Sequence, residues 1–480
     1  MEFAGRVRDG MVALLALAAT ALLVYFGNGL EPRWPLMWLA PVPVLVYALR
    51  NSARRAAVVA FVAMLAGCLN LLGYFRILQI PLLAWFGDFG LVSLVFALGV
   101  LLTRALLRRG AVWSAWLALP VLCVSFEFVR NLWLWPHGSA GCLAYSQLNF
   151  LPFLQLASLT GPWGMSFVLL LFAAGAALGI HLWRTQRGQA VRVLGATAAV
   201  VVAVLVFGAV RLAGSQPGPM VRAGLVSSDI SRGVRDPGEP AQALFEPYAL
   251  VAGNLIARGA QVVVMPEDLA VIVDPNTAEA DRIFQTVSDR GNAVLVIGMN
   301  HISGRVRYNE ARIYAPGVAP RTYHKEHLLP PFENVFTPGT SRTALATSQG
   351  MWGVAICKDL DFTEPARSYG RAGVGLLLAP AWDFNVDAFW HGHIAVMRAV
   401  EDGFSLVRSA RGGFMTVADD RGRVLAEARS NSAPFATLLA TIPAGHDSTL
   451  FQLWGDWFGW VAVALLILLL ARLAMGRRAS

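Results

Sequence analysis

The stretch MWGVAICKDLDF, residues 351–362, is an apolar run that stops at a cysteine and becomes charged at once. Its apolar half has the composition of a buried strand, which would place Cys357 at the carboxyl end of that strand. Reactive groups of α/β proteins lie beyond such strand ends. A free cysteine is also among the most buried residue types, so Cys357 taken alone is more typical of a core position. The stretch predicts an α/β domain and makes Cys357 a candidate nucleophile.

Composition separates the chain from ordinary soluble proteins. Of its 480 residues, 56% are hydrophobic and only 14% are charged, which is typical of a membrane protein. The formal charge is +9 at pH 7, but the basic residues form short clusters between apolar segments. We therefore predict no nucleic-acid partner. The cysteines lack metal-ligand spacing, so neither a zinc site nor a disulfide framework is expected; they are Cys68, Cys123, Cys142 and Cys357.

Apolar segments long enough to cross a bilayer of about 30 Å occur throughout the first half of the chain and once near its end. The second segment is the weakest, because it is short and contains prolines. The first follows basic residues, as a signal peptide would, but it has no convincing cleavage site and is interpreted as a retained anchor. We predict about eight transmembrane helices, at residues 11–27, 34–49, 56–75, 86–106, 111–129, 162–183, 193–212 and 453–475.

Arginine clusters predict the orientation, because Lys and Arg concentrate in short cytoplasmic loops. Successive clusters are separated by two predicted crossings, so eight crossings put all of them in the cytoplasm. This predicts a bacterial inner-membrane protein with both termini cytoplasmic and the large polar segment outside. The clusters are Arg6 and Arg8; Arg50, Arg54 and Arg55; Arg104, Arg108 and Arg109; Arg184, Arg187 and Arg192; and Arg472, Arg477 and Arg478.

Three regions follow from this division. Residues 1–213 are predicted to form a transmembrane helical bundle of about seven spans, residues 214–445 an extracytoplasmic α/β domain, and residues 446–480 the last transmembrane helix and a cytoplasmic tail. In the middle region, short apolar strands alternate with longer amphipathic helices. Strands are predicted at 221–226, 261–265, 293–297, 353–356 and 375–378, and helices at 241–258, 278–290 and 389–401.

Two further predicted strand ends carry the ionisable groups that a nucleophilic cysteine needs. The run QVVVMPEDL contains Glu267, and RTYHKEHLLPPFE contains Lys325 and Glu333. A thiol with a reference pKa of about 8.5 is only slightly ionised at neutral pH, so it needs a base such as Glu267. Attack on a carbonyl builds an oxyanion, which a donor such as Lys325 stabilises by about 3 kcal/mol. Taken singly, each of these charged residues is also compatible with a solvated surface position.

Together, Glu267, Lys325 and Cys357 resemble the Glu-Lys-Cys triad of the nitrilase superfamily in their order and spacing. Three motifs of the membrane half resemble one branch of that superfamily, the apolipoprotein N-acyltransferases, and they are EFVR at 127–130, YSQ at 145–147 and GPWGMSF at 161–167. The resemblance covers nearly the whole chain. It implies a nitrilase-like αββα four-layer sandwich, carried by the membrane helices on the outer face of the inner membrane.

The resemblance also implies an activity, which needs no cofactor and no metal. An acyl chain would pass from a phospholipid to a thioester on Cys357, and then to the amine of a diacylglyceryl-cysteine at the start of a lipoprotein. Glu267 would be the base, Lys325 the oxyanion donor, and Glu333 a support for the lysine or the intermediate. Weaker candidates for substrate contacts are Asp359, Trp382, Arg130 and Tyr145.

The chain departs from the family pattern beside the nucleophile. It has Cys357-Lys358-Asp359 where Cys-Tyr-Glu is usual, and HLLPPFE at 327–333 where HLVPFGE is usual. Lys358, as a second cation, is expected to lower the pKa of Cys357. The departures leave three alternatives open: another amine acceptor, a membrane-anchored amidase that passes its acyl group to water, and a binding protein without catalysis. The last is disfavoured because all three triad positions are filled.

Two smaller expectations concern charged and metal-binding side chains. Glu127 and Arg130 are three residues apart, a helical spacing at which they can pair. His391 and His393 are two apart on a predicted helix, so they do not share a face and are not expected to bind a metal together.

Overall fold

The computed structural model describes residues 2–133, 138–139, 141–214, 218–229 and 241–475, without side chains at 2–6, 241–244 and 275. The chain divides into two compact units. A helical unit comprises Met1–Trp135, Gly141–Leu212 and Asp456–Ser480, and an α/β unit comprises Pro136–Ala140 and Ala213–Gly455. The side chain of Arg6, and Arg477 and Arg478 as a whole, lie outside the described residues.

Long apolar helices make up most of the helical unit. Within the described residues, seven stretches are long and apolar enough to cross a membrane: Val7–Gly27, Ala53–Ile77, Leu82–Arg108, Val112–Trp133, Ala157–Leu182, Arg187–Ala213 and Trp457–Met475. The helices before the α/β unit are α1 (Glu2–Gly27), α2 (Trp34–Leu39), α3 (Val42–Arg50), α4 (Ala53–Gly67), α5 (Leu72–Ile77), α6 (Leu82–Arg108), α7 (Val112–Trp133), α8 (Leu151–Leu154), α9 (Ala157–Leu182) and α10 (Arg187–Ala213).

The second predicted span is interrupted. Pro41 separates α2 from α3, since proline lacks the amide hydrogen that would continue a helix and clashes with the preceding turn. The side chains of Val44 and Leu45 are nevertheless fully buried. The segment is therefore a packed part of the helical unit that is shorter than the seven long stretches, and an eighth crossing stays a prediction.

The motif GPWGMSF begins at a break in the helical conformation of α9. Gly161 has a left-handed φ of 61°, which glycine adopts without steric cost. After this break, the indole of the buried Trp163 donates a hydrogen bond to Asp456 Oδ1 at 2.7 Å. The motif thus fastens the start of the last helix of the chain to α9.

The α/β unit contains two sheets. The first has strand order β13-β1-β2-β4-β5-β6, with β3 paired to β4, and the second has the order β12-β11-β10-β9-β8-β7. The strands are β1 (Met220–Ser227), β2 (Val262–Val264), β3 (Val271–Val273), β4 (Val294–Ser303), β5 (Val306–Ala315), β6 (Val318–His324), β7 (Thr343–Thr347), β8 (Gly350–Val354), β9 (Val374–Trp382), β10 (Ser405–Arg411), β11 (Phe414–Ala418), β12 (Val424–Arg429) and β13 (Ala436–Pro443).

The two sheets pack face to face, with helices on their outer faces. One core lies between the sheets and includes Val264, Val354 and Val407. A second core packs Phe245 and Phe284 of two helices against the first sheet, and a third joins two further helices to the second sheet. The helices are α11 (Ala241–Ala257), α12 (Asp274–Gly291), α13 (Ala366–Arg371), α14 (Ala388–Asp402) and α15 (Leu450–Trp454), and α16 (Trp457–Met475) ends the described chain.

These layers form the αββα sandwich expected for a nitrilase-like domain. Every predicted strand and helix of this region overlaps an observed one. Seven strands were not predicted, namely β3, β5, β7 and β10 to β13. Most of them pair antiparallel, as in β4 with β5 and β10 with β11. The predicted alternation of strands and helices identified mainly the strands that pair in parallel in the middle of each sheet.

Candidate active site

A sharp turn presents the candidate nucleophile. Strand β8 ends at Val354, and Cys357 begins a short 3-10 helix, Cys357–Asp361. Cys357 has φ +41°, a left-handed conformation that costs a non-glycine residue about 1–3 kcal/mol and persists only where its surroundings impose it. The thiol therefore sits at a strained position just beyond the strand end, as predicted from the sequence.

Asp359 holds this turn against the segment that carries Lys325. Its Oδ2 accepts hydrogen bonds from the Ile356 amide at 2.9 Å and the Tyr323 hydroxyl at 2.8 Å. Its Oδ1 accepts bonds from the amides of Glu326 at 3.1 Å and His327 at 2.8 Å. Asp359 is completely buried. It therefore lies inside the protein as a connector between the cysteine turn and the lysine segment, and not on a surface that could contact substrate.

Lys325 lies between two buried carboxylates. It directly follows β6, and its Nζ contacts Glu267 Oε1 at 2.7 Å and Glu333 Oε2 at 2.8 Å. Glu267 follows β2, and its amide donates to the carbonyl of Ala381 at 3.2 Å. All three charged side chains are at least nine-tenths buried. The structure thus brings Glu267 together with Lys325 and Glu333, which lie 58 and 66 residues further along the chain.

Asn309 is part of this cluster, and the sequence analysis missed it. It lies on β5, and its Nδ2 donates to Glu267 Oε1 and to Glu333 Oε1, both at 2.6 Å. Its backbone carbonyl accepts a hydrogen bond from the Lys325 amide at 2.9 Å. A signal was present, since Asn309 and Glu310 precede the alternating run ARIYA in a strand that the analysis did not recognise.

The electrostatics of the cluster keep the lysine charged. Burial alone lowers the pKa of Lys325, but the charges of Glu267, Glu333 and Cys357 raise that pKa well above its usual value. Burial raises the pKa of Glu267, against the opposing effect of Lys325, and Glu333 raises it further. A carboxylate with a raised pKa is a better proton acceptor than an ordinary glutamate.

The thiol of Cys357 is held neutral, contrary to the expectation for Lys358. Burial is the main cause, and together with the charge of Glu267 it raises the pKa of Cys357 well above 9.0 although Lys325 opposes it. Lys358 Nζ contacts Asp361 Oδ2 at 3.1 Å, in a pair that is nearly buried. Because this partner neutralises Lys358, the predicted lowering of the cysteine pKa was wrong. The thiol donates to the carbonyl of Trp382 at 3.4 Å.

A second polar group lies near Cys357. Arg408 on β10 binds both carboxylate oxygens of Asp383, at 2.5 Å and 3.0 Å. His391 of α14 lies 3.9 Å from Asp383 and 3.7 Å from Asp387. The sequence analysis had considered His391 only together with His393, and it had not considered Asp383. His393 instead bonds the carbonyl of Phe389 on its own helix.

Of the remaining residues predicted to contact substrate, Trp382 belongs to the α/β unit, and Tyr145 and Arg130 belong to the helical unit. Trp382, at the end of β9 in the α/β unit, is 38% exposed, and its ring stacks with the guanidinium of Arg411 at 5.0 Å. Its exposure beside the thiol is compatible with a substrate contact. In the helical unit, Tyr145 is only 1% exposed, so its ring is packed inside that unit.

Arg130 does not form the predicted pair with Glu127. Its Nη2 contacts Asp88 Oδ2 at 3.1 Å, and Glu127 Oε1 instead accepts the amide of Leu143 at 2.8 Å. The i,i+3 spacing was compatible with pairing, but Asp88 of α6 offered a tertiary partner that the sequence of α7 alone could not reveal.

Two family models match the chain. The apolipoprotein N-acyltransferase N-terminal domain matches residues 20–175, and the carbon-nitrogen hydrolase domain matches residues 240–446. The first match lies in the helical unit and the second in the α/β unit that holds Cys357.

Relatives align with this chain over nearly its whole length. An apolipoprotein N-acyltransferase of Geobacter metallireducens is 28% identical over 95% of this chain and 94% of its own length. One of Gloeobacter violaceus is 27% identical over 92% of this chain and 91% of its own length. Among solved structures, an amidase from Nesterenkonia sp. is 20% identical, with a TM-score of 0.41, over 49% of this chain and 94% of its own.

Proposed function

The chain belongs to the apolipoprotein N-acyltransferase family, and from this premise we propose that it moves an acyl chain from a phospholipid, through a thioester on Cys357, to the N-terminal diacylglyceryl-cysteine of a lipoprotein. The observation that carries the mechanism is Lys325, held between the buried carboxylates of Glu267 and Glu333 beside a buried thiol. This arrangement suits acyl transfer at a carbonyl carbon and needs no nucleotide.

In the first step, Glu267 takes the proton of the Cys357 thiol as sulfur attacks the ester carbonyl of the phospholipid. The raised pKa of Cys357 means that a standing thiolate is scarce at neutral pH, so a base must act during the attack. The raised pKa of Glu267 matches this task. The carbon–sulfur bond forms, the ester carbon–oxygen bond breaks, and the lysophospholipid leaves with a proton returned by Glu267.

Lys325 stabilises the oxyanion formed in both steps. An ammonium group has three hydrogen-bond donors. Glu267 Oε1 accepts one of these, and the two oxygens of Glu333 lie 3.0 Å and 2.8 Å from Nζ, so the third donor reaches the carbonyl oxygen when the two Glu333 oxygens share a single N–H. The strong interaction of the lysine with two carboxylates keeps it charged without any rearrangement at the moment of attack, and such preorganised donors contribute about 3 kcal/mol.

The second step resolves the thioester. The α-amine of the acceptor attacks the thioester carbonyl, Glu267 accepts the proton of that amine, and the Cys357 sulfur leaves. An amide forms as the carbon–sulfur bond breaks, and the thiol is restored. Glu333 and Asn309 position Lys325 and Glu267 through both steps.

Both substrates are anchored in lipid, which gives a physical reason for the helical unit. The seven long apolar stretches, together with the family, place the protein in the bacterial inner membrane. We propose further that both termini face the cytoplasm and that the α/β unit lies outside it, where no nucleotide energy is expected.

The test is a mass measurement on the full-length protein in detergent. It is incubated with a phospholipid labelled in its sn-1 chain, with and without a diacylglyceryl-cysteine peptide. An acyl adduct on Cys357 should form, and should disappear as the peptide becomes N-acylated. Cys357→Ser should give no thioester, whereas Cys142→Ser, which removes another buried thiol, should behave as the wild type.

Other outcomes would contradict the proposal in distinct ways. An adduct that decays to free fatty acid despite the peptide would indicate a hydrolase. An adduct that persists with this peptide but transfers to another amine would indicate a different acceptor, and the absence of an adduct with any phospholipid would exclude the lipid donor.

A further inference from the structure

The polar group near Cys357 has the composition of a metal-binding site. Cys357, Asp383 and His391 each offer one ligand atom, and these three atoms lie within 4.8 Å of one another. Thiolate, imidazole and carboxylate are the three ligand types that proteins offer to Zn²⁺. Neither the proposed acyl transfer nor the sequence motifs use His391 or Asp383 directly.

The distances fit a tetrahedral ion after a small contraction. Zinc binds sulfur at about 2.3 Å and nitrogen or oxygen at about 2.0–2.2 Å, so neighbouring ligand atoms are about 3.3–3.7 Å apart. His391 Nδ1 is already 3.9 Å from Asp383 Oδ1. Since the ligand atoms lie within 4.8 Å of one another, the group must draw together by at most about 1.5 Å around an ion, a movement within reach of side-chain rotation.

Asp387 lies on the Nε2 side of the histidine ring at an ion-pair distance, slightly longer than a hydrogen bond. Ligating histidines usually donate their second ring nitrogen to a carboxylate, which fixes the ring. The Nδ1 side of His391 faces Asp383, while its Nε2 lies 3.7 Å from Asp387 Oδ2. Asp387 in turn accepts the amide of Phe384 at 2.8 Å and is fully buried. The histidine therefore has both a ligand side and a supporting carboxylate.

The local charge suits a divalent cation. Once the thiol is deprotonated, Cys357, Asp383 and Asp387 supply three negative charges, which Arg408 offsets by one. Arg408 occupies only one lone pair on each Asp383 oxygen, so these oxygens can still bind an ion. The site is at least nine-tenths buried at Cys357, Asp383 and Asp387, so it would admit a small ion more readily than a bulky cation.

We propose that Cys357, Asp383 and His391 bind a thiophilic divalent cation of the Zn²⁺ type, and that this binding excludes acylation of Cys357. The ion displaces the thiol proton to solvent and forms a metal–sulfur bond at the atom that attacks the ester. Metal occupancy and the acyl-enzyme are therefore mutually exclusive states of one sulfur, which would make the enzyme sensitive to free zinc outside the cytoplasm.

Binding is measured without any acyl substrate, on the full-length protein in detergent. Zn²⁺ should protect Cys357 from alkylation by iodoacetamide, measured by peptide mass, and EDTA should reverse the protection. Co²⁺ should give the charge-transfer absorption of a thiolate–cobalt bond, which Cys357→Ser should abolish. His391→Ala should weaken Zn²⁺ protection by about tenfold or more, whereas His393→Ala, on the same helix, should leave it unchanged.

A second variant distinguishes loss of a metal ligand from a folding defect. Asp383→Asn can keep hydrogen bonds to Arg408 but replaces the anionic ligand with a neutral one, so protection by Zn²⁺ should weaken while alkylation of the free thiol continues. Equal protection in His391→Ala and in the wild type would overturn the site, because the ion would then bind the thiol without the histidine. Failure of Zn²⁺ to protect the wild type would overturn it as well. Neither result depends on whether the protein acylates lipoproteins.

Discussion

Asn309 shows how a single side chain can organise the proposed catalytic centre. Two carboxylates this close to one lysine repel each other, and each needs a donor when it is removed from water. Asn309 supplies a donor to both, and its backbone carbonyl also accepts the amide of Lys325. It therefore sets the distance between Glu267 and Glu333 although it need not touch substrate.

Replacing Asn309 should slow the formation of the acyl-enzyme. Asn309→Ala removes two hydrogen bonds to charged groups, each worth about 1.5–3 kcal/mol. If about one of them is needed to hold Glu267 in place, the acylation rate should fall about 10- to 100-fold. Asn309→Asp should cost more, because it adds a third carboxylate. Single-turnover acylation followed by intact mass measures this, and a change of less than twofold in both variants would contradict the positioning role.

Glu310 makes a separate contribution on the same strand. It is fully buried and contacts Arg312 at 2.8 Å, His301 at 3.2 Å and His324 at 3.3 Å. Burial raises its pKa, but hydrogen bonds from the two histidines and the charge of Arg312 outweigh burial and lower the pKa from 4.5 to about 2. A carboxyl whose pKa is depressed by folding stabilises the native state above its unfolded pKa, and this stability is lost as the pH falls through the folded pKa.

The acid stability of the protein should reflect this residue. Between about pH 4.5 and pH 2, ionised Glu310 should lose a contribution of about 3 kcal/mol to the free energy of unfolding. Glu310→Gln lacks this titration. The difference in Tm between wild type and Glu310→Gln in detergent should therefore be largest near pH 6 and shrink as the pH falls towards 2. A difference that does not change with pH would contradict the assignment.

At the scale of elements, the catalytic groups depend on close contacts between strands. Gly298 on β4 lies against the backbone that carries Glu267, and a Cβ at this position would approach Glu267 Cα to 2.5 Å and the Pro266 carbonyl oxygen to 2.6 Å. The amide of Gly298 also donates to that carbonyl at 3.1 Å. The loop after β2 can follow this path only because position 298 has no side chain.

Gly298→Ala should therefore displace Glu267. Backbone atoms cannot rotate away as a flexible side chain can, so the variant should lower Tm and reduce the acylation rate by at least about tenfold. Gly253→Ala in α11 is the matched control. Its Cβ would meet nothing within 4 Å, and alanine is favoured over glycine in a helix by up to about 1 kcal/mol. If both variants acylate at the wild-type rate, the contact does not position the base.

At the scale of the whole molecule, the number of crossings decides the orientation. The structure gives seven long apolar stretches and the interrupted pair α2 and α3. Seven crossings would put the two termini on opposite sides of the membrane, and eight would put them on the same side. The charge clusters predict the second arrangement, because Arg50, Arg54 and Arg55 follow this pair directly.

Reporter fusions should distinguish the two arrangements. A fluorescent protein that matures only in the cytoplasm should be bright at either terminus. Alkaline phosphatase, which is active only outside the cytoplasm, should be active when fused after residue 214. A dark N-terminal fusion with a bright C-terminal one would mean that residues 34–50 do not cross, and would contradict the eight-span prediction.

The sequence by itself predicted the architecture and the three residues of the proposed triad. Transmembrane segments are readable because a bilayer demands about 20 apolar residues in a row, and buried parallel strands are readable as short apolar runs. Glu267, Lys325 and Cys357 stand where such runs end, so their positions followed from local pattern, and the order of the three carried the family resemblance.

Only the tertiary structure decided what surrounds those residues. Asn309 lies on an antiparallel strand whose polar residues gave no catalytic signal, and Asp359 became a buried connector through partners far away in the chain. The effect of Lys358 on the pKa of Cys357 was predicted wrongly because the carboxylate of Asp361 compensates the charge of the lysine. His391 meets Cys357 and Asp383 only when α14 packs against the short helix that begins at Cys357 and against β10. Coulomb energies and burial depend on distance in space, which residue spacing along the chain does not contain.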